Sequence, residues 1–221
     1  MLIDIVIAAA WGLALLVTLW PMAQNGVRLL KRWEIADPTE AQVEEAVRYL
    51  KRRRLLYPWI YAGLALAPPW TDGIGQLVVV VLGGSLLAEL LALRPRRDAL
   101  RVATLTPRGL FDIASKWVLG SYTVLVVGGA IYLGMSQQWD RFLWLVLSVV
   151  ATVVIIWAAV ARPATGDQAV DMALRTRSVH VSAGLGVALA GVLIGHSIGF
   201  VGILAWISMA NTKPVPAKIK G

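Results

Sequence analysis

The places where basic residues do not occur constrain this chain most. Apolar stretches near Leu2–Trp20, Leu55–Trp70, Gly75–Leu93, Trp117–Met135, Phe142–Val160 and Val179–Ala210 alternate with polar connections. The connections at 21–54, 94–116 and 161–178 carry seventeen of the twenty-one Lys and Arg residues. Those at 71–74 and 136–141 carry one, Arg141. Lys and Arg resist translocation, so loops rich in them stay in the cytoplasm. The alternation predicts an all-α, polytopic integral membrane helical bundle with a known orientation.

Composition agrees. The chain is 58% hydrophobic and 15% charged, with a mean hydropathy of +0.70. A soluble domain needs about 25% charged residues to keep its surface wet. A net charge of +8 would suggest nucleic acid in a soluble protein. Here the charges flank apolar stretches, where they meet anionic lipid headgroups, so lipid rather than nucleic acid is the expected partner. The chain has no cysteine, which excludes a disulfide, a thiolate metal site and an acylated lipobox. Met1-Leu2-Ile3-Asp4 lacks the basic start of a signal peptide, so 2–20 reads as an uncleaved first span.

A membrane-crossing helix needs about 20 residues. Four of the stretches fit directly. The one at 55–70 is short, opens near Pro58 and stops at Pro68-Pro69. Val179–Ala210 is too long for one span and short for two. Gly191, Gly195 and Gly199 would form one stripe on an unbroken helix. A turn at Gly195-His196-Ser197 would instead return the basic tail, Lys213, Lys218 and Lys220, to the cytoplasm. The charge rule favours this second arrangement, with six spans as the alternative. The expected architecture is a single transmembrane domain over 1–221, with spans at 2–20, 55–70, 75–93, 117–135, 142–160, 179–194 and 197–210. Its N-terminus lies outside and its C-terminus is cytoplasmic.

Among the connections, Asp37-Pro38-Thr39-Glu40 is the clearest signal. Asp37 suits a helix cap, Pro38 the first helical position, and Glu40 can reach back to the cap. Val43, Ala46, Val47 and Leu50 follow on one face, so an amphipathic cytoplasmic helix is expected at 38–54. Glu44 and Arg48 are placed for an i,i+4 pair. Arg48, Lys51, Arg52, Arg53 and Arg54, with Arg96 and Arg97 in the next loop, form the expected surface for a docking partner or anionic lipid. Thr106-Pro107 restarts a helix that runs through Leu110 and Phe111 into the fourth span. Thr165-Gly166-Asp167-Gln168 opens a short helix in which Asp171 and Arg175 pair.

An ionisable residue inside the membrane is the best pointer to function in such a chain. Glu89, about one turn inside the third span, is the candidate for an ion or proton path. His180 and His196 fall at opposite membrane faces, too far apart to share a metal. Asp72 and Asp140 both lie outside without a base beside them. There is no Walker-type loop, HExxH or GxSxG. No catalytic residue, metal ligand or cofactor is assigned.

The Arg-rich inner loops, Ala/Val/Leu spans and absence of Cys resemble the texture of bacterial inner-membrane proteins from high-GC genomes. The expected function is a non-enzymatic membrane subunit or scaffold that assembles with another membrane complex or transporter. The alternative is a small homo-oligomeric transporter or channel.

Overall fold

In the computed structural model, residues 2–18, 20–65, 74–92, 101–102, 109–161, 164–165 and 167–212 are described. They form α1 (Leu2–Thr18), α2 (Ala23–Arg32), α3 (Glu40–Leu55), α4 (Tyr57–Ala65), α5 (Ile74–Ala92), α6 (Leu110–Ile113), α7 (Lys116–Met135), α8 (Trp139–Ala161), α9 (Gln168–Ile194) and α10 (His196–Asn211). A two-residue antiparallel pairing of β1 (Arg101–Val102) with β2 (Ala164–Thr165) ties two connections together. The fold is otherwise helical among the described residues.

Three helices, α7, α8 and α9, are long and apolar enough to cross a membrane. The two faces of α8 show what surrounds it. Leu143, Val146, Leu147, Val150, Val153, Val154 and Trp157 face outward, while Leu145, Ser148, Thr152, Ile155 and Ala159 face inward. The hydroxyls are on the inner stripe and the outer one is wholly apolar, the reverse of a helix on a water-soluble protein. Such a surface suits lipid.

α9 is the axis of the bundle. It is buried along nearly its whole length, whereas α7 and α8 each turn a broad apolar face outward. It touches α3, α5, α6, α7, α8 and α10, and α1 packs on α4 at the periphery. Its 27 residues run about 40 Å, roughly two turns more than a 30 Å hydrocarbon layer requires. The short helix expected after Thr165 and the span expected from 179 are therefore one continuous helix.

The stretch that sequence left as one span or two is two helices. Gly195 turns the chain at φ +107 and ψ 171, a region side chains avoid. α10 then doubles back along α9 so closely that a Cβ on Gly191 would lie 2.7 Å from the Ile198 carbonyl oxygen. The glycines at spacing four serve the turn and the seam of a hairpin, and no unbroken stripe forms.

Two other expected starts move. The helix expected at 38–54 is α3, and its cap is Thr39 in place of Asp37. Thr39 Oγ1 accepts from the Gln42 N–H, and Gln42 Oε1 accepts from the Thr39 N–H at 2.9 Å. The Gln42 amide also donates to Asp167 at 2.9 Å, and Asp167 caps α9 through the N–H groups of Ala169 and Val170. A carboxylate at the reach-back position could not donate to Asp167, so the neutral Gln42 joins both helix starts. The helix expected to run through Leu110 into the fourth span breaks at Ala114–Ser115, where the Ser115 N–H donates to His180 Nε2 at 3.1 Å. Its supposed start at Thr106-Pro107 lies outside the described residues.

Candidate functional site: a buried carboxylate and guanidinium cluster

The apolar stripe of α3 lies against protein. Ala46, Tyr49 and Leu50 are buried with Leu30 of α2 and with Val170 and Leu174 of α9. This packing sets α3 across the basic end of the bundle, so its last two turns face the ends of α5 and α9. Tyr49 and Arg53, one turn apart, then share a face and point at the same carboxylate.

That carboxylate is Glu89 of α5, which is fully buried. Its Oε1 accepts from the Tyr49 hydroxyl and from Ser178 Oγ, the latter at 2.7 Å. Its Oε2 lies 3.0 Å from Arg53 Nε, an ion pair without linear hydrogen-bond alignment, and 4.0 Å from Arg177. Arg177 also donates to the Tyr49 oxygen at 2.7 Å and stands over the Tyr49 ring. The tyrosine thus accepts from a cation and donates to an anion. Burial foremost pushes its hydroxyl up to about 12, against the pull of Arg177. Glu89 adds to the rise.

A second buried pair lies beside the cluster. Arg175 and Asp171, at i,i+4 on α9, meet at 2.7 Å with 0% and 2% of their side chains exposed. Arg175 also donates to the Ala159 carbonyl at 2.6 Å, satisfying the C-terminal end of α8. His180 is buried beside the Trp33 ring, 5.8 Å between centroids. His196 opens α10 at the far end of α9, about 20 Å along the helix from His180. At that far end Arg141 donates to the Leu193 carbonyl at 3.4 Å, closing the C-terminus of α9.

Of the residues singled out from sequence, the structure joins Glu89 with Arg53. Arg54 follows, half-buried and without an ion-pair partner among the described residues. Its guanidinium is pressed below its ordinary range by burial first and also by Arg53 and Arg177, with Tyr57 opposing. Arg48 pairs with Glu44 at 2.7 Å on the exposed side, as the spacing predicts. Lys51 stands 5.8 Å over the Trp20 ring, and Arg52 is exposed. Arg96, Arg97 and Asp72 lie outside the described residues. Sequence reasoning missed Tyr49, Arg177 and Ser178. The only local hint was a tyrosine one turn before an arginine on an amphipathic helix.

The arrangement holds an anion rigidly between two cations and two hydroxyl groups. No protein-family model matches the chain, and no curated protein or solved structure is significantly similar to it.

Proposed function

We propose that this chain is a non-enzymatic subunit of a bacterial inner-membrane assembly, with α2 and α3 held at the cytoplasmic face for a partner. In this reading it crosses the membrane seven times, with its N-terminus outside and its C-terminus inside. The observation that carries it is the orientation of Glu89. The charge that could have lined a path is turned toward α3, where Tyr49 and Arg53 hold it. One of the costliest groups to bury in such a bundle therefore fastens a cytoplasmic helix. The opposite side of α3, with Glu44, Lys51 and Arg52, is left exposed.

Photo-crosslinking from Arg52 in native membranes, followed by purification in mild detergent, tests it. The expected result is one stoichiometric partner chain. A monodisperse chain without adducts would sink the proposal.

A second reading, a small homo-oligomeric transporter or channel, draws support from one place in the bundle interior. Tyr122 of α7 and Ser148 and Thr152 of α8 are buried, and Tyr122 and Thr152 converge on Gly186 of α9. Liposome flux by the unmodified chain that disappears in Thr152→Val, a variant of nearly the same shape, would favour it over the subunit.

A further inference from the structure

Among the described residues the exposed tryptophans lie at the two ends of the bundle, and none lies at its waist. The packing of α9 fixes their levels. A Cβ on Gly186 would meet both Tyr122 of α7 and Thr152 of α8, so these three residues share one height. Trp117 and Trp157 are each five residues from that height toward the basic end, about 7–8 Å along their helices. They are therefore level with each other and with Val181, five residues before Gly186. Trp59 and Trp20 belong to the same end. Tyr57, two residues from Trp59, packs on Ala88 next to Glu89, and Lys51 stands over Trp20. At the opposite end a Cβ on Gly129 would meet Ile194 and Leu145, and the exposed Tyr132 and Trp139 lie beyond that level. Between the two ends the exposed side chains of α8 are all apolar.

From these levels we infer that the two aromatic belts mark the borders of a lipid hydrocarbon layer thinner than the usual one. Trp20, Trp59, Trp117 and Trp157 lie at the cytoplasmic border, and Tyr132 and Trp139 at the outer one. Indole and phenol rings settle where one edge is apolar and the other wet, at the level of the headgroups. From Trp117 to Tyr132 the rise is about 22 Å, and from Trp139 to Trp157 about 27 Å. A hydrocarbon core is ordinarily about 30 Å thick, and any helix tilt shortens the span further. The chain therefore fits a thin bilayer, or thins a thicker one around itself. Ser178, which bonds Glu89, lies three residues to the cytoplasmic side of Val181, and Arg177, Arg175 and Asp171 lie farther that way. The charged cluster then sits at headgroup depth, where burying an ion costs less than in hydrocarbon. This inference rests on the membrane reading above, and on neither the number of spans nor the presence of a partner.

Depth-dependent quenching of the full chain in phosphatidylcholine vesicles tests it. Each variant carries one bimane-labelled cysteine, and the lipid is brominated near either the methyl end or the glycerol end of its acyl chains. Labels at Val124→Cys and Val150→Cys, exposed midway between the borders, should be quenched at least about twice as strongly by the deep bromines as by the shallow ones. Labels at Lys116→Cys and Ala161→Cys, exposed at or just past the cytoplasmic border, should show the reverse. Stronger deep quenching at Lys116→Cys or Ala161→Cys would overturn the placement of that border. Quenching at no site would instead overturn the membrane reading itself. The unmodified chain should also melt at a higher temperature in fourteen-carbon than in twenty-two-carbon phosphatidylcholine. Equal melting, or the opposite order, would overturn the thin layer.

Discussion

Glu89 matters most as an anion that cannot leave. Replacing it with Gln keeps the shape but removes the negative charge that Arg53 and Arg177 share. Losing one partner of a buried pair costs about 3–5 kcal/mol. Glu89→Gln should therefore lower the melting temperature in detergent sharply, and a variant that melts like the parent would remove Glu89 as the fastener of α3. Tyr49 adds a dependence on pH. Its folded-state value of about 12 lies above the ordinary 10.0, so its contribution is whole below about pH 10 and drains away as pH climbs toward 12. The stability profile should fall over that window, and Tyr49→Phe should make the fall shallower while costing about 1–3 kcal/mol at neutral pH. An unaltered alkaline limb in Tyr49→Phe would place the titration elsewhere.

Among elements, the hairpin of α9 and α10 rests on one backbone position. The space around a Cβ at Gly195 is open, so Gly195→Ala would suffer backbone strain alone, about 1–3 kcal/mol. Thermal unfolding of that variant checks this, and an unchanged melt would mean the turn adapts. The elements also show what a sequence discloses. Glu44 with Arg48, and Asp171 with Arg175, were legible because helix geometry alone brings residues four apart together. The expected spans at 117–135, 142–160 and 179–194 lie in the three helices long and apolar enough to cross a membrane, the last inside a helix that begins eleven residues earlier, at Gln168. Glu89's partners were not legible, because Tyr49 and Ser178 lie 40 and 89 positions away and reach it only through packing. The cap of α3 was misplaced for a similar reason. Gln42 answers both Thr39 beside it and Asp167 across 125 positions, and no local window contains the second.

For the molecule as a whole, the absence of cysteine makes a topology test clean. Gln137, exposed at the turn between α7 and α8, and Arg52, exposed on α3, fall on opposite sides of the membrane in the seven-span reading. In intact cells an impermeant maleimide should label Gln137→Cys and spare Arg52→Cys. The converse pattern would invert the proposed orientation. The wrapped position of α9 bears on how the chain is made. Its apolar part, from Val179 to Leu193, is covered by other helices almost throughout, so it meets protein where a peripheral helix such as α8 meets lipid. In order of synthesis α5, α7 and α8 precede it, so the ribosome delivers the walls before the post they surround. Insertion should then be cooperative and late. Truncating the nascent chain ahead of α9 would leave a hollow awaiting its occupant.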